Sequence, residues 1–194
     1  MPRRIGIWGG SFDPVHVGHL ILAQEAVAVC GLDRLIWIPS GDPPHKAGPV
    51  ASGKHRIAMV ELAIQDQARF EVSDVEVSRS GKSYTRQTLS EFRDALDTDD
   101  SLSLLIGADN AVDFQNWHDP EGVLDLAEVV VLNRPGFDVK NASGSLCARM
   151  RFLKTPLFEV SSTEIRKRIK AGQPIRHWVP EAVCEYIDRE GLYC

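Results

Sequence analysis

An eleven-residue string near the start of the chain, Gly9-Gly10-Ser11-Phe12-Asp13-Pro14-Val15-His16-Val17-Gly18-His19, constrains what it can become more than any other part. Ahead of the string, Ile5, Ile7 and Trp8 make an apolar run long enough for a buried strand. Behind it, Leu20, Ala23, Val27 and Cys30 recur at helical spacing until Gly31 stops the pattern as a helix C-cap would. The expectation is a strand, a glycine-containing turn and a helix. Such a connection leaves backbone N–H groups and the positive end of a helix dipole facing one concavity. That is a seat for an anion, most often a phosphate.

His16 and His19 sharpen the reading. Three residues apart, they are neighbours on the first helical turn, and Gly18 between them lets a ligand approach the backbone. Two imidazole donors would add to the backbone amides in holding polyphosphate oxygens. An i,i+3 histidine pair also suits a metal ion, but only Asp13 lies nearby as a third ligand and no cysteine joins them. A satisfied structural histidine is the plainer alternative for either.

The 194 residues carry a net charge of −5, which argues against non-specific nucleic-acid binding, since that needs a basic surface. No run approaches the ~18 apolar residues of a membrane span. Gly9, Ser11 and Asp13 interrupt any signal-peptide core. Cys30, Cys147, Cys184 and Cys194 form no C-x-x-C pattern and read as free thiols. The expectation is one cytoplasmic domain, residues 1–194, with a small C-terminal helical segment from about residue 161.

Further along, Leu35 to Ile38 reads as a second buried strand ended by Pro39, which completes a parallel βαβ unit. The loop Ser40 to Lys46 then lies at the strand's C-terminal end, where open α/β sheets bind ligands. Position alone leaves a phosphate contact by His45 and Lys46, or a solvated basic loop, equally open. Gly48 to His55 comes within one residue of a Walker A motif, but it lacks the final Ser/Thr, contains Pro49 and follows a loop, so it is rejected. A helix from near Ser52 through Ile57, Val60 and Ile64 fits better.

Phe70 to Val77 alternates apolar and polar residues and predicts a strand with one solvated face. Tyr84 and Thr85 open a helix with Leu89, Phe92 and Leu96 on its apolar stripe and Thr85 as N-cap. Leu102 to Ile106 is the next buried strand, ended by Gly107-Ala108-Asp109. An acidic residue there suits ribose hydroxyls, or it caps the following helix. Trp117 is a stacking platform or an ordinary rim aromatic. Val129 to Leu132 reads as the last strong strand, and residues 137–148 as an exposed loop. Ser161 with Glu164 forms a capping box that starts a helix. Arg166, Lys167, Arg168 and Lys170 place positive charge in its opening turns, against the dipole, which a bound polyanion or a solvated basic face would explain. A final helix runs from Glu181 to Arg189, with Gly191 as its stop.

The string Gly-Ser-Phe-Asp-Pro-Val-His-Val-Gly-His resembles the signature of the H-x-G-H nucleotidyltransferases. Five stretches together are similar to the bacterial nicotinate-nucleotide adenylyltransferases: Gly9–His19, Pro43–Lys46, Ser83–Thr85, Gly107–Asp109 with Trp117, and Ser161–Arg166. Pro180 to Tyr193 also resembles that family's tail. The resemblance implies an α/β fold, a Rossmann-like doubly wound parallel sheet with flanking helices and a small C-terminal helical segment. It implies adenylyl transfer from ATP to nicotinic acid mononucleotide, with Mg²⁺ accompanying ATP and no metal ligand from protein side chains.

The resemblance further implies an ATP site at Gly9, Gly10, Ser11, Phe12, His16, Gly18, His19, Gly107, Asp109, Ser162, Thr163 and Arg166. The acceptor would meet Asp13, His45, Lys46, Tyr84, Thr85 and Trp117, and catalysis would rest on His16, His19, Lys46 and Arg166. Two alternatives stay open. One is a sister enzyme acting on pantetheine phosphate or nicotinamide mononucleotide; the other is a nucleotide sensor without turnover.

Overall fold

In the computed structural model, residues 1–42, 50–133 and 145–194 are described. The short β-branched runs form β1 (Arg4–Gly10), β2 (Arg34–Pro39), β3 (Phe70–Val72), β4 (Ser101–Gly107), β5 (Glu128–Leu132) and β6 (Arg151–Leu153). The longer runs form α1 (Val17–Cys30), α2 (Gly53–Ile64), α3 (Val75–Ser78), α4 (Thr85–Asp94), α5 (Ala108–Asp113), α6 (Pro120–Leu126), α7 (Ser162–Lys170) and α8 (Glu181–Glu190). The strands lie in the order β3-β2-β1-β4-β5-β6, with every neighbouring pair parallel. Strand order therefore reverses between β1 and β4, and the C-terminal ends of those two strands flank the crevice where such sheets bind ligands.

The strands read as apolar runs because both faces of the sheet are covered. Trp8, Leu35, Trp37, Leu105 and Val130 pack with residues of α1, α2, α7 and α8. On the opposite face Ile7, Ile36, Ile38, Leu104 and Val131 pack with Leu89 of α4, Ala111 of α5 and Val123 of α6. Each such buried branched side chain contributes about 1.5–3 kcal/mol. Helix ends follow the expected signals. Gly31 caps α1 at φ 63°, Ser52 accepts from the His55 amide at the start of α2, and Ser161 accepts from the Glu164 amide at the start of α7.

Several sequence expectations need correction. The expected strand to Val77 stops at Val72, and Val75–Ser78 is a helical turn. Ser73 and Asp74 cause the break, the Ser73 hydroxyl accepting from the Val75 amide and Asp74 accepting from the Ser78 hydroxyl. A sixth strand, β6, pairs with the edge of β5, beyond the last strand that the sequence predicted. Tyr84, not Thr85, is the N-cap of α4, and Gly107 is the N-cap of α5, with Asp109 inside the first turn. The basic residues of α7 are not misplaced. The helix is only nine residues long, so Lys167, Arg168 and Lys170 fall in its last turn, where the dipole favours cations.

Candidate active site

A cleft opens at the C-terminal edge of the sheet in two chambers. The larger has a volume of about 440 Å³ and the smaller about 150 Å³, and Gly9, Gly10, Ser11 and Asn110 line both. All twelve residues expected at the ATP site line the larger chamber. Tyr84, Thr85 and Trp117 line the smaller one, and Asp13 the larger. His45 and Lys46 lie outside the described residues, as does most of the expected loop at 137–148.

The turn after β1 is shaped by aromatic packing. Phe12 is 2% exposed and sits at φ 46°, a strained backbone for a bulky residue. Its ring packs at 5.1 Å from both Trp37 and His19, which holds the conformation in place. A Cβ on Gly10 would come within 2.8 Å of that ring. Asp13 and Pro14 are joined by a cis peptide.

His16 is the N-cap of α1, one residue outside the helix, rather than a member of its first turn. Its imidazole stacks on that of His19 with ring centroids 3.7 Å apart. The His16 amide donates to His19 Nδ1 at 3.2 Å, so the neutral His19 ring carries its proton on Nε2. Gly18 makes room for this stack, since a Cβ there would lie 3.1 Å from His16 Nδ1.

Asp13 is buried, and its carboxylate is engaged by protein donors. It accepts from the amides of Val50 and Ala51 at 2.8 and 3.1 Å and from the Tyr193 hydroxyl at 2.7 Å. Burial first, and then Asp13, push the Tyr193 phenol far above its ordinary pKa. Arg166 donates to the Asp13 carbonyl at 2.6 Å and lies 3.7 Å from its carboxylate. The Ser162 hydroxyl donates to the Pro14 carbonyl at 2.8 Å. Together these bonds dock the N-terminus of α7, with its amides, beside the turn that follows β1.

In the smaller chamber, Trp117 lies 5.0 Å ring to ring from Phe114, and His118 lies 4.5 Å from Tyr84. Arg86 and Asp119 pair at 2.7 Å and hold the α4 start against the 117–119 turn. Sequence reading missed Glu76 and Thr88, which are buried with Ser83 on this chamber's wall. Thr88 donates to Glu76 at 2.9 Å. Burial raises the Glu76 pKa above the ordinary 4.5, opposed by that bond and by one from the Gly41 amide. It also missed Arg56, 2% exposed beneath both chambers; an arginine among the apolar residues of a helix was the available signal. Among the described residues no cluster of three His, Cys, Asp or Glu is arranged to hold a metal ion.

A family profile described as cytidylyltransferase-like matches residues 7–168. A relative from Desulfitobacterium hafniense (strain Y51), named a probable nicotinate-nucleotide adenylyltransferase, is 42% identical over 200 residues, 99% of this chain and 96% of its own length. One of the same name from Thermus thermophilus is 43% identical over 190 residues, 98% of this chain and 99% of its own. The chain belongs to the nicotinate-nucleotide adenylyltransferase family, within the cytidylyltransferase-like proteins. Its fold is also that of the Plasmodium falciparum nicotinic acid mononucleotide adenylyltransferase complexed with NaAD, with a TM-score of 0.81 at 18% identity over 98% of this chain and 97% of that one. Membership accounts for the doubly wound sheet and for a cleft that reaches across its switch point.

Proposed function

We propose that this chain transfers the adenylyl group of ATP to nicotinic acid mononucleotide, giving deamido-NAD and pyrophosphate in NAD biosynthesis. The observation that carries the reading is the wall Gly9-Gly10-Ser11 shared by the two chambers, of which the larger would seat the triphosphate and the smaller the acceptor. One nucleotidyltransferase domain, its C-terminal helical segment packed on the sheet, would carry the reaction. The free thiols fit a cytoplasmic setting. Among the described residues no helix is long and apolar enough to cross a membrane.

An oxygen of the mononucleotide's 5′-phosphate attacks the ATP alpha-phosphorus in line, and the bond to the beta-phosphate oxygen breaks. The electron pair leaves with pyrophosphate. The phosphate nucleophile is mostly ionised near neutral pH, with a second pKa of about 6, so it needs little activation. Catalysis is then alignment together with stabilisation of charge on the leaving group. His19 would donate from Nε2 and His16 beside it, with the Gly9–Ser11 amides completing the cradle. Ser162, Thr163 and Arg166 at the α7 N-terminus would hold the beta and gamma groups, and Lys46 the transferred region. Asp109 would take ribose hydroxyls, with Gly107 giving close approach. Mg²⁺ would arrive on the ATP phosphates and offset their charge.

Trp117 would stack on the nicotinate ring, and its carboxylate would meet amides at the α4 N-terminus near Tyr84 and Thr85. A carboxylate is welcome there, whereas nicotinamide would set donors against donors. In a buried site such mismatches cost up to ~10⁴–10⁵ in discrimination. A pyrophosphate-release assay with ATP, Mg²⁺ and each of nicotinic acid mononucleotide, nicotinamide mononucleotide and pantetheine phosphate tests the reading. Fastest release with the first supports it, whereas preference for another acceptor, or no release at all, overturns it.

A further inference from the structure

Arg56 lines neither chamber, yet its guanidinium fork holds the backbone beneath both. Nη1 donates to the Ser11 carbonyl at 2.9 Å, Nη2 to the Ser40 carbonyl at 2.6 Å, and Nε to the Ala51 carbonyl at 3.2 Å. Ser11 ends the glycine turn after β1, and Ser40 follows β2. These two strands are neighbours, with Gly10 opposite Pro39. One planar group therefore fixes two adjacent strand exits at the cleft floor.

The peptide plane gives this clamp a consequence for the site. In a trans peptide the N–H of the next residue points opposite to the carbonyl. The 11–12 and 40–41 bonds are trans, the one cis bond among the described residues being 13–14. With the Ser11 carbonyl drawn to Arg56, the Phe12 N–H is turned away from it, and Phe12 lines the triphosphate chamber. With the Ser40 carbonyl drawn the same way, the Gly41 N–H is turned away from Arg56, and Gly41 packs closely against Glu76. Glu76 in turn receives Thr88 of α4 on the acceptor side. Only glycine fits at position 41, where a Cβ would lie 2.1 Å from the Glu76 carbonyl oxygen.

The choice of residue also matters. Three carbonyls could be satisfied by neutral donors, but arginine leaves a cation in the interior with no carboxylate at bonding distance among its three hydrogen bonds. Its electrostatic counterweights are the carboxyl groups of Asp13 and Glu76. A buried cation beneath the junction of two phosphate-binding chambers favours substrates that bring negative charge there.

We infer that Arg56 is a positioning residue for the transfer, aiming the Phe12 amide at the ATP phosphates and fixing the acceptor wall through Ser40, Gly41 and Glu76. This rests on the adenylyl-transfer reading above. Two variants test it, Arg56→Met and Arg56→Lys, the second keeping the charge but losing the fork. At temperatures where circular dichroism shows wild-type fold, Arg56→Met is expected to lose about 10²-fold in kcat with KM for either substrate moving far less. Arg56→Lys should recover part of that loss. In ¹⁵N–¹H spectra, added inorganic pyrophosphate should shift the Phe12 amide strongly in wild type and weakly in both variants.

A folded variant with kcat within about threefold of wild type, or an undiminished Phe12 shift, overturns the inference. If Arg56→Met does not fold, Arg56→Lys decides it by the same two measurements. Wild-type protein that shifts the Phe12 amide but turns over no acceptor would sink the functional reading instead.

Discussion

Tyr193 donates its phenolic hydrogen to Asp13 Oδ1 at 2.7 Å, a bond between buried groups 180 residues apart in sequence. Asp13 lies in the turn that follows β1 and also carries the backbone carbonyl that seats Arg166. The end of the helical segment is thereby tied to the start of the candidate active site.

Removing that hydroxyl leaves Asp13 with the Val50 and Ala51 amides and the Arg166 charge. Tyr193→Phe is expected to lower stability by about 1.5–3 kcal/mol, the range for a hydrogen bond to a charged acceptor. Chemical denaturation at neutral pH measures it. An unchanged midpoint would show that the bond contributes nothing.

His19→Ala removes the Nε2 donor and the ring on which His16 stacks. A loss of ~10²–10³ in kcat is expected, with the fold intact, because a transition-state donor is lost. Near-normal turnover in steady-state kinetics would withdraw the assignment.

Trp117→Ala should act on the acceptor alone. Loss of a stacking face costs about 1–3 kcal/mol per base in comparable sites, so KM for nicotinic acid mononucleotide should rise roughly tenfold or more. KM for ATP should stay put; a matching rise in both would contradict the separation of the chambers.

Glu76 gives a prediction in pH. Its folded pKa is raised above 4.5, chiefly by burial. The folded state therefore keeps a proton that the unfolded chain has released, so this group lowers stability as pH climbs from the unfolded value through the folded one. Glu76→Gln removes that dependence. The melting temperature of the variant minus that of wild type should increase over this window and level off above it. A difference that is flat with pH would show that Glu76 ionises as freely in the fold as outside it.

The parts legible in the sequence were those set by neighbours in the chain. The Gly31 stop and the Ser161–Glu164 cap depend on hydrogen bonds between residues at most four apart, and the strand, turn and helix around Gly9–His19 on apolar spacing and glycine placement, so residue type and spacing suffice to find them. The stretch from Phe70 to Val77 shows where that logic fails. Phe70 and Val72 share one phase of the alternation, Val75 and Val77 the other, and between them sit Ser73, whose hydroxyl accepts from the Val75 amide, and Asp74, which accepts from the Ser78 hydroxyl. Likewise β6 is three residues long, too short for any periodicity, and exists because the edge of β5 offers it partners.

The sequence by itself determined the strand, turn and helix around Gly9–His19, the buried strands and part of the lining of the cleft, because these follow from residue type, local hydrogen bonding and apolar patterning. Only the tertiary structure decided that Asp13 turns its carboxylate toward protein donors, that Arg56 clamps two strand exits, and that Glu76 walls the smaller chamber. Those roles depend on partners 12 to 180 residues away, and no spacing rule along the chain encodes which distant carbonyl, amide or hydroxyl a buried polar group will meet.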